Sequence, residues 1–456
     1  MTAAPANRPL TIVFAIHPGP GHINGSFRLA QPLRARGHRV IYFGLAAGRP
    51  LAVGQGFEFV AFAEDIAPES ALEPPRTASW WQRRVAVERQ SRSLLRQCTD
   101  GTLDRQLLAL QPDVVVCDGL IWYVAVRALA RGIPVANLCA YLCAAPNPYV
   151  SPVLYGRIPR NTWLGRLTVR SDWMRMRAAV LVGYPLASLL LGRYRSPERI
   201  HNEMGFFRRL VRRSGLRLRE GRDYWLGIGG PHLELPHVVM CPTALDFPQA
   251  PDTGARHMAG SIDVLRPEDG GVMEKLDRGQ PLVYCSLGSD ARFYPDAAGF
   301  FRAVAEASRL RPEWQWVLSV GPHSDPSAWA AGKNLAVVKW APQMALLQIA
   351  SVMVTHGGLN SILECIHFGV PMVVTPAMRD QPGNMARAVA QGIALGVRIK
   401  GLRAAQLAAL IEQAMHSAEM RRRLAAVKQA IAAEDAVAAV ELVESLASGG
   451  GKGMSR

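Results

Sequence analysis

The sequence lacks the marks of several protein classes. Its seven cysteines are scattered, and none stands in the CxxC or Cys/His spacing of a metal or redox site. No apolar run reaches the roughly 20 residues that span a bilayer, and the run at 178–192, AAVLVGYPLASLLLG, is interrupted by Pro185. The first 25 residues hold one short apolar run before a glycine-rich turn, which predicts no signal peptide. We therefore expect a cytoplasmic protein with reduced cysteines and no bound metal.

Positive charge is abundant but unevenly placed. The net charge of the 456 residues is +16, and between positions 151 and 230 sixteen arginines, no lysines and five acidic residues give +11. No zinc-finger, basic-zipper or RNA-binding signature accompanies this Arg-rich region, so nucleic acid is not the expected partner. A membrane surface or an anionic ligand fits better. The apolar run at 178–192 inside it is either a buried or pocket-lining helix or an interfacial patch in contact with lipid.

Strands and helices alternate in both halves of the chain. In the first half, TIVFAIHP runs into GPGH and a helix-like stretch, and QPDVVVCDGL is followed by another. The second half repeats the pattern with PLVYCSLGSD, WQWVLSVG, LAVVKWAP, SVMVTHGG and PMVVTPAM. The alternation predicts α/β domains with parallel sheets, whose ligands gather at the carboxyl ends of the strands. His22 and Asp118 follow two such ends.

The length of the chain and the breaks in this alternation predict two domains. We expect an N-terminal domain at 1–245, with an Arg-rich helical insertion near 150–230, and a linker rich in proline and glycine at 246–262. A second domain is expected at 263–430, followed by a C-terminal helix at 431–448 and a flexible tail at 449–456.

Polar residues that suit a nucleotide are concentrated between 340 and 384. The segment VTHGGLNS places His356 and Asn360 at a strand-to-helix turn, where free backbone N–H groups and the helix dipole favour a phosphate without metal. Glu364, about one turn further, could accept hydrogen bonds from a ribose diol, and Trp340 offers a flat face to a base. Two polar residues after the next strand could bind sugar hydroxyls, namely Asp380 and Gln381.

This stretch resembles the donor-binding box of the UDP-glycosyltransferase family. The matching elements are W-x-P-Q, T-H-G-G-x-N-S-x-x-E, G-V-P-M and D-Q-x-x-N, in order and without a gap over about 45 residues. The resemblance implies the GT-B fold, in which two Rossmann-like domains face each other across a cleft that holds the active site. The sequence departs from the plant version of the box at Leu359 and Gln348, where plants usually have Trp and His. These departures leave the identity of the sugar open.

The resemblance implies a role for each residue of the box. Trp340 would stack on uracil, and Gln343 would lie near the base and the ribose. Glu364 would bind the ribose hydroxyls, which favours UDP over dTDP, and Asp380 and Gln381 would bind the sugar. The residues implied for the diphosphate are His356, Gly358, Asn360 and Ser361, with Ser289 approaching from the other side.

The first half would then supply the acceptor site and the catalytic base. His22, in G-H-x-N, matches the position of the family's catalytic histidine, and Asp118 matches its partner acid. His22 would take the proton of the acceptor hydroxyl as that oxygen attacks the anomeric carbon, and Asp118 would orient the ring. Attack opposite to the departing UDP implies inversion of configuration. Asp118 could instead merely cap the following helix, and His17 could line the acceptor site.

These features predict an inverting, metal-independent, UDP-dependent glycosyltransferase without a further cofactor. The expected sugar is a hexose, with glucose favoured by Gln381 in the family. The composition of the Arg-rich region suggests a small apolar acceptor at the inner face of a membrane, such as a carotenoid, another terpenoid, a sterol-like alcohol or a lipid. The passage LCAAPNPYVSPV is similar to bacterial carotenoid and macrolide glycosyltransferases. The alternatives are a polyketide, macrolide or flavonoid acceptor, a UDP-sugar epimerase or lipid-linked sugar transferase of the same fold, and a UDP-sugar-binding protein without turnover.

Overall fold

The computed structural model describes residues 8–62, 93–142, 145–183, 186, 203–227, 230–258, 271–329, 332–434 and 437–449. Within these residues the strands form two parallel sheets and one antiparallel hairpin. Helices alternate with the strands of both parallel sheets, which confirms the predicted α/β class.

Seven short strands form the first sheet. In chain order they are β1 (Thr11–Ala15), β2 (Arg39–Gly44), β3 (Glu58–Ala61), β4 (Val114–Asp118), β5 (Val135–Cys139) and, after the hairpin of β6 (Tyr224–Gly227) and β7 (Gly230–Leu233), β8 (His237–Val239) and β9 (Arg256–His257). The order across the sheet is β3-β2-β1-β4-β5-β8-β9. Strands β1 and β4 are parallel neighbours, with Ala15 opposite Cys117, so the loops that follow them emerge side by side.

Helices cover both faces of this sheet, which explains why a strand such as β4, VVVCD, is buried along its whole length. The described helices between its first five strands include Pro20–Ala35, Arg49–Gly54, Thr102–Ala109 and Trp122–Ala130. The apolar side chains of β1 therefore point into two cores. Val13 and Ala15 belong to one, and Ile12 and Phe14 to the other.

The second sheet has the same design with six strands. They are β10 (Leu282–Ser286), β11 (Gln315–Ser319), β12 (Leu335–Val338), β13 (Val352–Thr355), β14 (Met372–Val374) and β15 (Ala394–Gly396), in the order β12-β11-β10-β13-β14-β15. Its helices are Ala297–Leu310, Gln343–Leu347, Leu359–Phe368, Gln381–Ala390, Ala404–His416 and Ala418–Ala432. In both sheets the order reverses beside the first strand, and ligands bind at such a switch point in doubly wound folds.

The Arg-rich insertion lies between β5 and β8. Its described part contains helix Trp163–Ala178, a π-helical turn at Ala179–Gly183, helix Glu203–Arg213 and the β6–β7 hairpin. Most of the predicted apolar segment 178–192 lies outside the described residues, as do positions 450–456 of the predicted tail. No helix in the described part of the chain is long and apolar enough to cross a membrane.

The chain returns to the first domain at two places that the sequence did not indicate. Residues 256–257, inside the predicted linker 246–262, form β9 at the edge of the first sheet, where Val238 pairs with Arg256. The C-terminal helix, Val437–Ala447, also packs on the first domain, since Ala439 and Val443 lie in the core beneath β1. A hydrogen bond of 2.9 Å joins His38 Nε2 to the buried Glu444 carboxylate of this helix.

Candidate active site

Two predicted catalytic residues meet at the switch point of the first sheet. His22 lies in the first turn of helix Pro20–Ala35, which follows β1, and Asp118 is the last residue of β4. Because these strands are adjacent and parallel, the two side chains reach each other, and His22 Nδ1 lies 2.6 Å from Asp118 Oδ2. The second carboxylate oxygen, Oδ1, accepts a hydrogen bond of 2.9 Å from the Leu120 backbone N–H. Asp118 thus caps the turn after β4 and also holds the histidine.

The electrostatics of this pair suit a general base. Burial penalises the charged form of His22, but the Coulombic attraction and hydrogen bond of Asp118 outweigh it and raise the pKa above 6.5. Burial opposes ionisation of Asp118 as well, yet its interaction with His22 lowers the pKa of the carboxyl group. Since the ionised carboxylate can only accept, Nδ1 of His22 carries the hydrogen and Nε2 is the basic nitrogen. The His22 side chain is 21% exposed while that of Asp118 is 1% exposed, so the base is accessible and its partner is not.

Other rings surround His22. The His17 ring lies 4.8 Å from it between centroids, and His17 Nδ1 accepts a hydrogen bond of 3.1 Å from the Gly19 N–H, which fixes the loop. Tyr141, after β5, presents its ring edge-on at 6.5 Å. The hydroxyl of Tyr141 approaches His232 Nε2 at 3.5 Å. His17 therefore lies beside His22, and its role in lining an acceptor site stays a prediction, whereas Tyr141 and His232 were not predicted.

The turn after β13 in the second domain is shaped for an anion. Gly357 has a φ of 82°, and Gly358 is the N-cap of helix Leu359–Phe368 without a capping side chain, so the first N–H groups of the helix are not occupied by one. A Cβ atom on Gly358 would lie 2.6 Å from His356 Nε2, and one on Gly288 would lie 2.7 Å from His356 Cε1. The His356 ring is thus held between two glycines, and Ser289 follows directly after the second of them.

His356 is a neutral hydrogen-bonding group in this turn. Burial lowers its pKa to about 4, so the imidazole is uncharged near neutral pH. Its buried Nδ1 atom has no hydrogen-bond partner among the described residues. The other ring nitrogen, Nε2, is the one that lies closest to the position of a Cβ atom on Gly358, so it is the nitrogen nearer to the helix N-terminus where the diphosphate contact is predicted.

The residues predicted for the ribose and base form one network. Gln343 donates through Nε2 to the Glu364 carboxylate and to Ser361 Oγ at 3.3 Å. The hydroxyl of Tyr284, on β10, donates to Gln343 Oε1 at 3.0 Å. Glu364 and Gln343 are buried, while Trp340 is 44% exposed and presents its ring to solvent at the end of β12. A nucleoside could stack its base on the exposed Trp340 ring and bond through its ribose to the buried polar groups.

Asp380 and Gln381 differ in how freely their side chains could bind a sugar. Burial raises the pKa of Asp380, which accepts a hydrogen bond of 2.7 Å from Asn384 Nδ2 and lies close enough to His22 to interact electrostatically. Gln381 is 3% exposed, and its Oε1 accepts from the Ala377 and Met378 N–H groups at 2.9 and 3.0 Å. Its Nε2 donates to Tyr294 at 2.8 Å. A sugar contact by Gln381 would therefore require an exchange of these hydrogen bonds.

Asn360 joins the two domains. Its Nδ2 donates to the Gly21 carbonyl at 3.1 Å, and its Oδ1 accepts from Arg28 Nη2 at 3.1 Å. Arg28 is 6% exposed, its Nη1 donates to the Met240 carbonyl at 3.2 Å, and its Nε has no partner among the described residues. Burial lowers the pKa of Arg28 to about 10. The predicted diphosphate residue is thus tied to the loop of His22, and the only sequence signal for Arg28 was a charge within the apolar stretch SFRLA.

Comparison with known proteins supports this architecture. Residues 273–429 match the family described as "UDP-glucoronosyl and UDP-glucosyl transferase". The chain is 29% identical over 170 residues to the NDP-glycosyltransferase YjiC of Bacillus licheniformis, which is 36% of this chain and 42% of that protein. It thus spans about two fifths of the length of this relative. Similarity to the zeaxanthin glucosyltransferase of Pantoea ananas is lower, at 24% identity, but extends over 93% of both chains.

Solved structures agree with the arrangement of the two sheets. The crystal structure of the glycotransferase of kitacinnamycin matches 97% of this chain and 100% of its own, with a TM-score of 0.67 and 24% identity. The fold of this chain is therefore GT-B, with a parallel sheet on either side of the cleft that contains His22 and the turn at Gly358.

Proposed function

We propose that this chain, which has a GT-B fold and matches the UDP-glucoronosyl and UDP-glucosyl transferase family over residues 273–429, transfers a hexose from a UDP-sugar to a hydroxyl group of a small apolar acceptor. The observation that carries the proposal is that the His22–Asp118 pair lies next to the glycine turn at Gly357 and Gly358. Asn360 links the two through the Gly21 carbonyl, only one residue from His22. A base and a leaving-group site held together in this way are what the reaction requires.

The donor would lie along the carboxyl edge of the second sheet. Trp340 would stack on uracil, and the Glu364 carboxylate, oriented by Gln343, would accept hydrogen bonds from the ribose diol. The diphosphate would occupy the turn at Gly358, where backbone N–H groups and neutral His356 donate. These groups supply the stabilisation that a metal ion provides elsewhere, so we expect transfer without a metal or other cofactor.

The chemical step would be a single inverting displacement. His22 Nε2 removes the proton of the acceptor hydroxyl, that oxygen forms a bond to the anomeric carbon, and the bond from this carbon to the UDP oxygen breaks. The proton stays on His22 as an imidazolium ion, which the buried Asp118 carboxylate stabilises. The negative charge that develops on the leaving UDP is received by the helix N-terminus. Asp380, close to His22, would orient the sugar.

The acceptor would enter an apolar cavity beside His22. The cavity is lined mainly by Tyr141, Leu142, Val153, Trp173, Met176 and Trp225, and its polar members are Ser151 and Arg387. Tyr141 connects it to the base, because its ring contacts His22. An apolar lining with few polar groups suits a carotenoid, another terpenoid, a sterol-like alcohol or a lipid. The similarity to zeaxanthin glucosyltransferase along nearly the whole chain favours this class, with glucose as the sugar.

A polyketide, macrolide or flavonoid acceptor is the second candidate. The third is a UDP-sugar-binding protein without turnover. The presence of both His22 and Asp118 in hydrogen-bonding geometry argues against it. We further propose that the protein acts in the cytoplasm, against the inner face of a membrane.

The test is product analysis by mass spectrometry with UDP-glucose, UDP-galactose, UDP-glucuronic acid and UDP-N-acetylglucosamine, each with pooled alcohols of these acceptor classes and with EDTA. We expect a hexose mass gain that His22→Ala abolishes and His416→Ala, an exposed histidine in the second domain, preserves. Tight UDP binding without any product would favour the binding protein. Absence of UDP binding would contradict the proposal as a whole.

A further inference from the structure

Helix Trp163–Ala178 of the Arg-rich insertion is apolar on both of its faces. On the inner face Val169, Trp173 and Met176 are buried against Trp225. On the outer face four large apolar side chains are exposed: Trp163 by 70%, Leu164 by 58%, Leu167 by 50% and Met174 by 71%. Single exposed apolar residues are normal on a protein surface, whereas several on one stretch of helix indicate an interaction.

The exposed residues form a stripe between arginines. At 3.6 residues per turn, Trp163, Leu164, Leu167 and Met174 fall within an arc of about 100° on the outer side. The flanking arginines are exposed and lie on both sides of this stripe, Arg166, Arg170 and Arg177 on one and Arg175 on the other. The exposed apolar surface continues into the π-helical turn with Leu181 and Val182.

No acidic side chain of the helix reaches this outer face. The one acidic residue of the helix, Asp172, is 1% exposed and is paired with Arg157, whose Nε lies 2.7 Å from Asp172 Oδ2. The outer face therefore combines apolar side chains and Ser171 with the positive charge of Arg166, Arg170 and Arg175, while Arg177 is paired with Glu220. A protein partner would have to supply both an apolar surface and several carboxylates. An anionic bilayer offers acyl chains for the apolar stripe and, directly above them, phosphates for the flanking arginines.

The helix is firmly held, so that it presents a fixed surface. Thr162 caps its first turn by accepting from the Gly165 N–H at 3.1 Å. Trp173 Nε1 donates to the Val150 carbonyl at 2.9 Å from the inner face. The backbone of Arg160 lies directly against Gly165, where it leaves no room for a Cβ atom.

We propose that helix Trp163–Ala178 docks the enzyme on an anionic lipid bilayer. The helix lies parallel to the surface, with Trp163, Leu164, Leu167 and Met174 at the boundary of the acyl chains and the flanking arginines among the phosphates.

The docking helix is also one wall of the acceptor cavity. Trp173 and Met176, on its inner face, line the cavity that Tyr141 joins to His22. A membrane-borne acceptor would then have to pass only one helix to reach the base. This consequence rests on the proposed function, whereas docking itself does not.

The test uses the purified full chain and sedimentation with vesicles of phosphatidylcholine, with or without phosphatidylglycerol. We expect binding to anionic vesicles that falls with added salt, because each arginine near an anionic surface strengthens binding roughly fivefold. The double variant Trp163→Ser/Leu167→Ser should lose binding by at least about tenfold, since two exposed apolar side chains no longer enter the boundary. The matched control is Leu310→Ser, which changes a 54% exposed leucine in the second domain and should bind as the wild type does.

A second pair of substitutions separates charge from apolar contact. Arg166→Gln/Arg170→Gln should reduce the preference for anionic vesicles by roughly 25-fold, the product of two such contributions, and leave binding to neutral vesicles unchanged. Folding of every variant is checked by the thermal unfolding midpoint and by the affinity for UDP in solution without vesicles, which none of these substitutions should alter.

The outcomes distinguish docking from the proposed function. Vesicle binding without any transfer would leave docking in place and contradict the proposed function. Transfer in solution without vesicle binding, or with equal binding by the double variant, would overturn docking. A change from dimer to monomer in the double variant, without vesicle binding by the wild type, would show that the face is an interface between copies of this chain, which also overturns docking.

Discussion

Replacement of Asp118 by asparagine tests the assignment of the catalytic pair more sharply than removal of His22. The two side chains have the same size, and the backbone cap of 2.9 Å to the Leu120 N–H can be kept by the amide oxygen. The charge at 2.6 Å from His22 Nδ1 is lost, however, and an amide nitrogen facing the ring would donate rather than accept. Nε2 would then carry the hydrogen and could no longer accept a proton from the acceptor.

The expected loss of kcat is large. The equivalent change in the serine protease triad, where the wrong tautomer is enforced in the same way, lowers kcat about 10⁴-fold. A loss of this size corresponds to about 5 kcal/mol of barrier height. We expect an effect of this order for Asp118→Asn, because the carboxylate is 1% exposed and no water replaces it readily.

The pH profile supplies the second part of this prediction. In the wild type, Asp118 raises the pKa of His22 above 6.5 against the effect of burial, and the base is active only above that pKa. A plot of kcat/KM against pH should therefore rise through a pKa above 6.5 and then level off. In Asp118→Asn the burial remains and the attraction is lost, so the pKa falls below 6.5 and the acid limb of the residual activity moves to lower pH.

The matched control is Asp113→Asn, which replaces another carboxylate beside the opposite end of β4. Asp113 accepts from the Thr11 N–H at 2.8 Å and does not contact His22. This variant should keep both kcat and the acid limb. An Asp118→Asn enzyme with less than about tenfold loss, or with an unshifted acid limb, would refute the catalytic pairing and leave Asp118 as a helix cap.

Three further predictions concern the donor site. Glu364→Gln should weaken UDP binding by roughly 10- to 100-fold in calorimetry, because a charged hydrogen-bond acceptor for the ribose is lost, and it should narrow the preference for UDP over 2′-deoxy-UDP. Gly358→Ala should weaken UDP binding too, since its Cβ would lie 2.6 Å from His356 Nε2 and must displace that ring. Arg28→Met should raise the KM for the UDP-sugar roughly tenfold with little change in kcat, because Asn360 loses a charged hydrogen-bond donor.

Each of these changes has an outcome that would contradict it. If Glu364→Gln lost affinity for UDP and for 2′-deoxy-UDP equally, the predicted contact between Glu364 and the ribose 2′-hydroxyl would be wrong. Gly299→Ala, where an added Cβ meets nothing within 4 Å, is the control for Gly358→Ala, and equal UDP affinities in the two would disprove steric displacement of His356. A lower unfolding midpoint in Arg28→Met with an unchanged KM would make Arg28 a purely structural residue.

The donor half of the site could be predicted from sequence because its residues are close together along the chain. The residues from Trp340 to Asn384 follow three consecutive strands, β12, β13 and β14, whose carboxyl ends lie on one edge of the sheet. A local pattern therefore specified most of the site. It could not specify which side chains are already engaged. Asn360 bonds to Arg28, 332 residues away, and Gln381 bonds to Tyr294, 87 residues away.

Strand β9, Tyr141 and His232 were not predicted, and the same physical reason explains all three. Strand β9 has two residues, too few for any period of hydrophobicity to show, and it exists because Arg256 pairs with Val238. Tyr141 and His232 reach the site from elements far apart in sequence, and nothing in their neighbourhoods marks them. Contacts that depend on tertiary pairing leave no local signal.

The Arg-rich insertion shows why composition alone left two interpretations of its apolar residues. A window of sequence averages over all sides of a helix, so an apolar segment can indicate either a core or a surface in contact with lipid. Helix Trp163–Ala178 has one row of apolar residues directed into the cavity, at Trp173 and Met176, and another directed outward, at Trp163 and Met174. The two interpretations are therefore not exclusive. In such a helix one element is both the wall of the cavity and the surface that meets the bilayer. An apolar acceptor dissolved in the bilayer would therefore be separated from the cavity by this helix alone.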